Sequence, residues 1–135
     1  DTDVRVLASL KKLAKPSSLL FFVDFINKDY IALEKAIVGT KTYAFDYGDY
    51  VVLERILFNP VTSEVLINQR FYLKRDLDMV FVDETSFKMR VYSLSELVDI
   101  AKRGGWCLNK VLRDVEGEPG YSVFKPLNLV FTPCP

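Results

Sequence analysis

Histidine is missing from this chain altogether, and cysteine occurs only as Cys107 and Cys134. The first absence removes the usual nitrogen ligand of zinc centres, and two thiols alone make neither a four-ligand site nor a disulfide framework. No metal site is expected, and both thiols read as reduced, Cys107 after Trp106 serving as a small buried hydrophobe. Net charge is also absent, because 18 basic and 18 acidic side chains cancel. No overall field steers the chain toward nucleic acid or an anionic membrane, so neither is expected as a partner. There is no apolar run of the ~18 residues a membrane span needs, and no signal-peptide pattern. The reading is a soluble, cytoplasmic protein. Glycine is scarce too: the six, at positions 39, 48, 104, 105, 117 and 120, never form a G-x-G run.

What remains is a chain of 135 residues, half of them apolar. A compact domain of that size buries roughly two-thirds of the surface its unfolded chain exposes, so one core suffices. Beginning at Asp1 rather than Met, the chain is expected to be a fragment, a processed product or a trimmed piece. Val6, Leu7, Leu10, Leu13 and Ala14 recur at helical spacing behind Asp1, Thr2 and Asp3, which predicts an amphipathic N-terminal helix capped by those polar residues. Pro16 ends it, and Ser17-Ser18 turn the chain into Leu19 to Phe25. That run is apolar except for Asp24, the composition of a strand covered on both faces inside a parallel sheet. Lys28 to Val38 follows as a helix with Gly39 as its stop.

From Thr40 the period becomes two. "TYAFDYGDYVVLERILFNP" and "SEVLINQRFYLKR" read as a hairpin through the turn "NPVTS", and "DMVFVDETSFKMRVYS" adds a third extended segment to an antiparallel meander. Arg55 and Arg70 on the hairpin are candidates for cross-strand pairing with Glu54 or Glu64. Ser93-Leu94-Ser95-Glu96 has capping-box spacing, so a helix starts there, buries Leu94, Leu97, Val98, Ile100 and Ala101, and closes at Gly104-Gly105. "WCLNKVLRDV" and "LNLVFTP" then read as strands around the loop "EGEPGYSVFKP".

Taken in order, "LASLKKLAKPSSLLFFVDFINKDY", "RVYSLSELVDIAKRGGWCLNKVLRD" and "LNLVFTPCP" resemble the C-terminal half of Rossmann-like S-adenosylmethionine-dependent methyltransferases. Lys15-Pro16-Ser17-Ser18 stands where that family has a Lys-Pro-Gly-Gly turn. Arg90, Tyr92, Ser93, Glu96, Leu97, Gly105 and Trp106 fall on its later Arg-x-Tyr-Ser/Thr-x-x-Glu-Leu…Gly-Phe pattern. The resemblance implies an α/β fold in which Leu19 to Phe25 is the fifth of seven strands and the meander is a lid over the substrate pocket. The expected division is 1–39 as helix, central strand and helix, 40–92 as lid, and 93–135 as late helix and last two strands.

The same resemblance implies that the S-adenosylmethionine-binding half, with its close-approach glycines, is not among these residues, so this chain alone is expected to be inactive and not to bind the cofactor. Expected partners are a small-molecule methyl acceptor and either the missing N-terminal half or further copies of the chain, since a strand cut from its sheet leaves unpaired backbone groups. A non-catalytic binding or dimerisation module from a split or truncated gene is the competing reading.

Asp24 and Asn27, at the strand exit where ligands of open α/β sheets gather, either face the cofactor or substrate cleft or cap the next helix. Arg90 and Tyr92 are candidate substrate contacts, the guanidinium as a bidentate grip and the phenol as a donor or base, against the alternative of packing and surface pairing. Tyr43 and Tyr47, with the other lid aromatics, either line a substrate pocket, cradle the sulfonium, or fill a sheet face. No catalytic residue is assigned, because methyl transfer from a sulfonium leans on positioning rather than covalent help.

Overall fold

A computed structural model describes residues 1–135. The elements are α1 (Thr2–Leu13), β1 (Leu20–Phe25), α2 (Lys28–Val38), β2 (Thr42–Asp46), β3 (Tyr50–Asn59), β4 (Glu64–Arg75), β5 (Asp78–Arg90), α3 (Leu94–Arg103), β6 (Trp106–Leu112) and β7 (Leu127–Pro133). They fall into two compact units, one of Asp1–Tyr30 with Tyr92–Pro135, the other of Ile31–Val91. No helix is long and apolar enough to cross a membrane.

In the first unit α1 starts where the Asp1 carboxylate accepts from the Asp3 N–H at 3.2 Å, and ends at Ala14, which is extended ahead of Lys15-Pro16. The Ser93 hydroxyl accepts from the Glu96 N–H at 3.3 Å while the Glu96 carboxylate accepts from the Ser93 N–H at 2.9 Å, so the capping box opens α3 as its spacing predicts. Leu7, Leu97, Ile100, Ala101, Trp106, Leu127, Leu129 and Phe131 form one buried cluster. Gly104, the C-cap of α3, packs against α1: a Cβ added there would lie 2.5 Å from the Leu7 Cβ, which no side chain tolerates without a shift.

The sheet of this unit has the order β1-β7-β6, all antiparallel. Apolar composition predicts an interior strand of a parallel sheet for Leu19 to Phe25; here β1 pairs with β7 alone and borders the sheet. Leu19, Phe21 and Val23 are consequently 53%, 56% and 53% exposed. Composition registers how much apolar surface a strand carries, but not which chain lies beside it.

The expectation of two reduced thiols is corrected. Cys107 and Cys134 form a disulfide, with Cα atoms 5.0 Å apart across 27 positions. β6–β7 register sets Cys107 opposite Thr132, and the Cys134 N–H donates to the Gly105 carbonyl at 2.9 Å, which folds the chain end back onto β6. Register between distant strands creates this proximity, so counting cysteines misses it.

The second unit holds the rest of α2 and a four-stranded antiparallel sheet in the order β2-β3-β4-β5. Three extended segments are expected and four strands are found, because "DYG" breaks the first. Gly48 adopts a left-handed φ of 82° and donates its N–H to the Asp46 carboxylate at 2.9 Å, while the Tyr47 N–H reaches the Tyr50 carbonyl at 2.9 Å. Register then divides the side chains. Tyr43, Phe45, Tyr50, Val52, Glu54, Ile56, Ile67, Gln69 and Phe71 share one face, and Thr42, Leu53, Arg55, Asn68 and Arg70 share the other.

Candidate functional site

In the first unit the polar groups gather at the carboxyl end of β1. The β1–β7 register slips between Phe22 and Phe25, and Asp24 at that bulge has a φ of 53°, a left-handed conformation that aspartate tolerates better than most residues other than glycine. Its N–H donates to the side-chain oxygen of Asn128 at 3.0 Å. Asn128, 4% exposed on β7, thereby holds the turn from behind, and the Asp24 carboxylate stands in solvent.

Asn27 is 2% exposed and fully engaged. Its carbonyl oxygen accepts from the Asp29 N–H at 3.1 Å, which caps α2. Its amide nitrogen faces the Tyr121 hydroxyl and the Val123 and Lys125 carbonyls at 3.3 to 3.4 Å, pinning the loop before β7. The Tyr121 hydroxyl also reaches the Asp29 carboxylate at 3.3 Å. Of the two residues expected at the strand exit, Asp24 presents a charge outward and Asn27 organises the turn behind it.

Arg90 and Tyr92, adjacent in the sequence reading, belong to different units. Arg90 ends β5 opposite Glu64 and is exposed. Tyr92 is 8% exposed, its hydroxyl donates to the Asp3 carboxylate, and its carbonyl accepts the Lys28 N–H at 3.1 Å. The Lys28 ammonium adds a 2.5 Å ion pair to Glu96. Burial pushes the Glu96 carboxyl up, but Lys28 and the Ser93 backbone and hydroxyl outweigh it and hold it below the usual carboxylate range.

In the second unit a hollow of about 400 Å³ is lined by Phe45, Tyr47, Tyr50, Val52, Glu54, Gln69 and Phe71. Tyr47 and Tyr50 stack with ring centres 5.3 Å apart, and the Glu54 carboxylate accepts from the Gln69 amide at 2.6 Å. The expected Arg55 and Arg70 pairs with Glu54 or Glu64 do not form. Both arginines project from the face opposite Glu54, and on their own face Arg70 pairs with Glu84 at 3.2 Å while Glu64 pairs with Lys88 at 2.8 Å.

Tyr43 does not join this hollow's lining. Its hydroxyl donates to Glu34, which is 6% exposed and also pairs with Lys41 at 2.9 Å. Burial and the neighbouring Glu34 carboxylate push the Tyr43 phenol up to about 12. Burial pushes Glu34 up as well, but the hydrogen bonds from Tyr43 and Lys41 and the charges of Lys41 and Lys35 prevail and lower it. Nothing in the sequence singles out Gln69 or Asn128, and Glu34 reads there only as one member of the helical pattern over Lys28 to Val38. A signal exists for Glu34 alone, an acid three positions after Ile31 on the helix side that both residues bury.

No protein-family model matches the chain, and no curated protein does. Solved structures do. An S-adenosylmethionine-dependent methyltransferase from Clostridium acetobutylicum ATCC 824 superposes with a TM-score of 0.73 at 11% identity, covering 100% of this chain and 53% of that one. The CcbJ methyltransferase from Streptomyces caelestis gives 0.75 at 13% identity, covering 98% and 50%. CalS10, an amino pentose methyltransferase from Micromonospora echinaspora solved with S-adenosylmethionine bound, gives 0.58 at 10% identity, covering 96% and 50%. The chain thus has the fold of part of these enzymes and spans about half their length.

Proposed function

We propose that this chain is the C-terminal part of an S-adenosylmethionine-dependent methyltransferase acting on a small molecule. One observation carries the reading: nearly the whole chain superposes on half of two such enzymes while its own β1 ends a sheet with an unpaired, apolar border. The first unit supplies sheet strands and the strand-end site, and the second supplies the lid. The cofactor-binding glycines belong to a stretch not among these residues, for no G-x-G run occurs here.

S-adenosylmethionine, when bound, supplies an electrophilic methyl group on a sulfonium. The exposed Asp24 carboxylate fits a group that is cationic at sulfur and carries ribose hydroxyls, and the Asn128 bond holds it in place. Asn27 serves the cofactor side by fixing the turn and the loop before β7. Arg90 and Tyr47, both exposed, contact the acceptor, the former gripping an anionic group. Tyr43 and Tyr92 have their hydroxyls held by Glu34 and Asp3, each within its own unit, and serve as fixed supports rather than contacts. Such placement lowers the barrier through orientation and exclusion of water rather than through a protein nucleophile.

Calorimetric titration with S-adenosylmethionine tests this on residues 1–135 and on the polypeptide extended by its preceding coding sequence. The longer form is expected to bind the cofactor and the shorter form not to. Binding by residues 1–135 alone overturns the division of labour, and no binding by the longer form overturns the methyltransferase reading in favour of a non-catalytic module.

A further inference from the structure

We propose that the aromatic hollow of the second unit binds an organic ammonium ion. Phe45, Tyr47, Tyr50 and Phe71 wall it, and Phe45, Tyr47 and Tyr50 are 40%, 58% and 43% exposed, so a solute can reach their rings. Glu54 lies among these rings, half-buried, with the neutral Gln69 amide as its hydrogen-bond partner and no cation paired to it. Its strand neighbour Arg55, and Arg70 across the ladder, lie on the opposite face, where with Thr42, Leu53 and Asn68 they line a separate hollow of about 190 Å³. A carboxylate that lines one hollow with four aromatic residues attracts a cation through its own charge, and a ring face open to the hollow adds to that attraction.

The same unit already contains the arrangement with its cation in place. Lys41 sits over the Tyr43 ring at 4.6 Å from the ring centre and 2.9 Å from the buried Glu34 carboxylate. Tyr43 lies directly across the β2–β3 ladder from Glu54. One ring-and-carboxylate site is filled by a lysine of the chain itself, and its neighbour on the same face holds the ring set and the carboxylate alone. The hollow, at about 400 Å³, has room for a substituted ammonium with several carbons. Identifying this ion with the ammonium of a methyl acceptor rests on the methyltransferase reading; binding of the cation does not.

The test uses residues 1–135 and a matched pair of probes, choline and 3,3-dimethylbutan-1-ol, in which a carbon replaces the charged nitrogen. Both are followed by chemical-shift changes in the protein's NMR spectrum. Choline is expected to saturate in the millimolar range and to bind at least about fivefold more tightly than its neutral twin, with shifts centred on Tyr47, Tyr50 and Phe71. Glu54→Gln is expected to bring choline down to the level of the alcohol, while Arg55→Gln on the other face leaves it unchanged. If Glu54→Gln fails to fold, Tyr47→Leu at the exposed rim gives the same reading. Equal affinity for both probes, shifts centred on Arg55 and Arg70, or no saturation by about 50 mM overturns the proposal. These readouts involve no S-adenosylmethionine, so their failure and that of the methyltransferase reading are told apart.

Discussion

The indole N–H of Trp106 donates to the main-chain carbonyl of Leu7 at 2.9 Å, a buried bond between residues 99 positions apart. It ties the first residue of β6 to the middle of α1, so the N-terminal helix is held by a directed contact as well as by its buried Leu7 side chain. Trp106→Phe keeps an aromatic ring there and removes the donor and part of the volume. Urea denaturation is expected to show a loss of about 1–3 kcal/mol, combining the lost hydrogen bond with a small cavity. A change under about 0.5 kcal/mol contradicts this account.

The border of β1 is expected to make residues 1–135 self-associate when alone. Leu19, Phe21 and Val23 stand exposed beside unpaired backbone groups, and Val6, Leu10 and Leu13 on α1 are 54%, 42% and 84% exposed. A flat apolar edge invites strand addition, and a charge placed on it discourages it. Light scattering after size exclusion should find oligomers at micromolar concentration and a shift toward monomer in Val23→Lys. A clean monomer in the unaltered chain sinks the expectation.

The Glu34–Tyr43–Lys41 cluster makes stability depend on pH at both extremes. The Tyr43 phenol, raised from 10.0 to about 12, favours its protonated form in the folded state. That contribution is complete below the ordinary tyrosine value and is lost as pH rises through about 12. Glu34 is shifted down from 4.5, so its contribution is present above the ordinary value and fades as pH falls through its lowered one. Absorbance titration should show a phenol ionising near 12 that vanishes in Tyr43→Phe, a variant also expected to lose about 1–3 kcal/mol by taking a donor from a buried carboxylate.

Cys134→Ser opens the loop that the disulfide closes over 27 positions. The expected cost is roughly 2–4 kcal/mol in non-reducing buffer, because a cross-link chiefly restricts the unfolded chain. In the presence of a strong reductant the parent and the variant should converge. Equal stability without reductant contradicts a bond that matters to the fold.

Asp24→Asn separates the charge from the turn. Asparagine accepts left-handed backbone at least as well as aspartate, and the bond to Asn128 uses the main-chain N–H, so stability should change by less than about 0.5 kcal/mol. In the extended polypeptide, cofactor affinity should fall about five- to tenfold if the carboxylate meets the cofactor. Unchanged affinity removes Asp24 from the site.

Elements whose cause is local were legible in the amino-acid order. The helix over Lys28–Val38 with Gly39 beyond it, the Ser93–Glu96 capping box and the strand Leu127–Pro133 all follow from residues within a turn or two of one another. The antiparallel alternation after Thr40 was equally plain, although its first turn at Asp46–Gly48 was hidden by the aromatic residues around it.

Pairings across the chain were decided by the tertiary structure alone. Composition made β1 apolar but did not place β7 on one side of it and nothing on the other. Two cysteines became a disulfide through β6–β7 register, and Arg70 met Glu84 rather than Glu54 because alternation put Glu54 on the other face. Glu54 reads in the sequence as a partner for Arg55 or Arg70, and the same register instead places it among the aromatic rings. Local sequence sets backbone preference and which residues want burial, whereas the identity of a contact made over tens of residues depends on how strands align, and that alignment is a property of the assembled core.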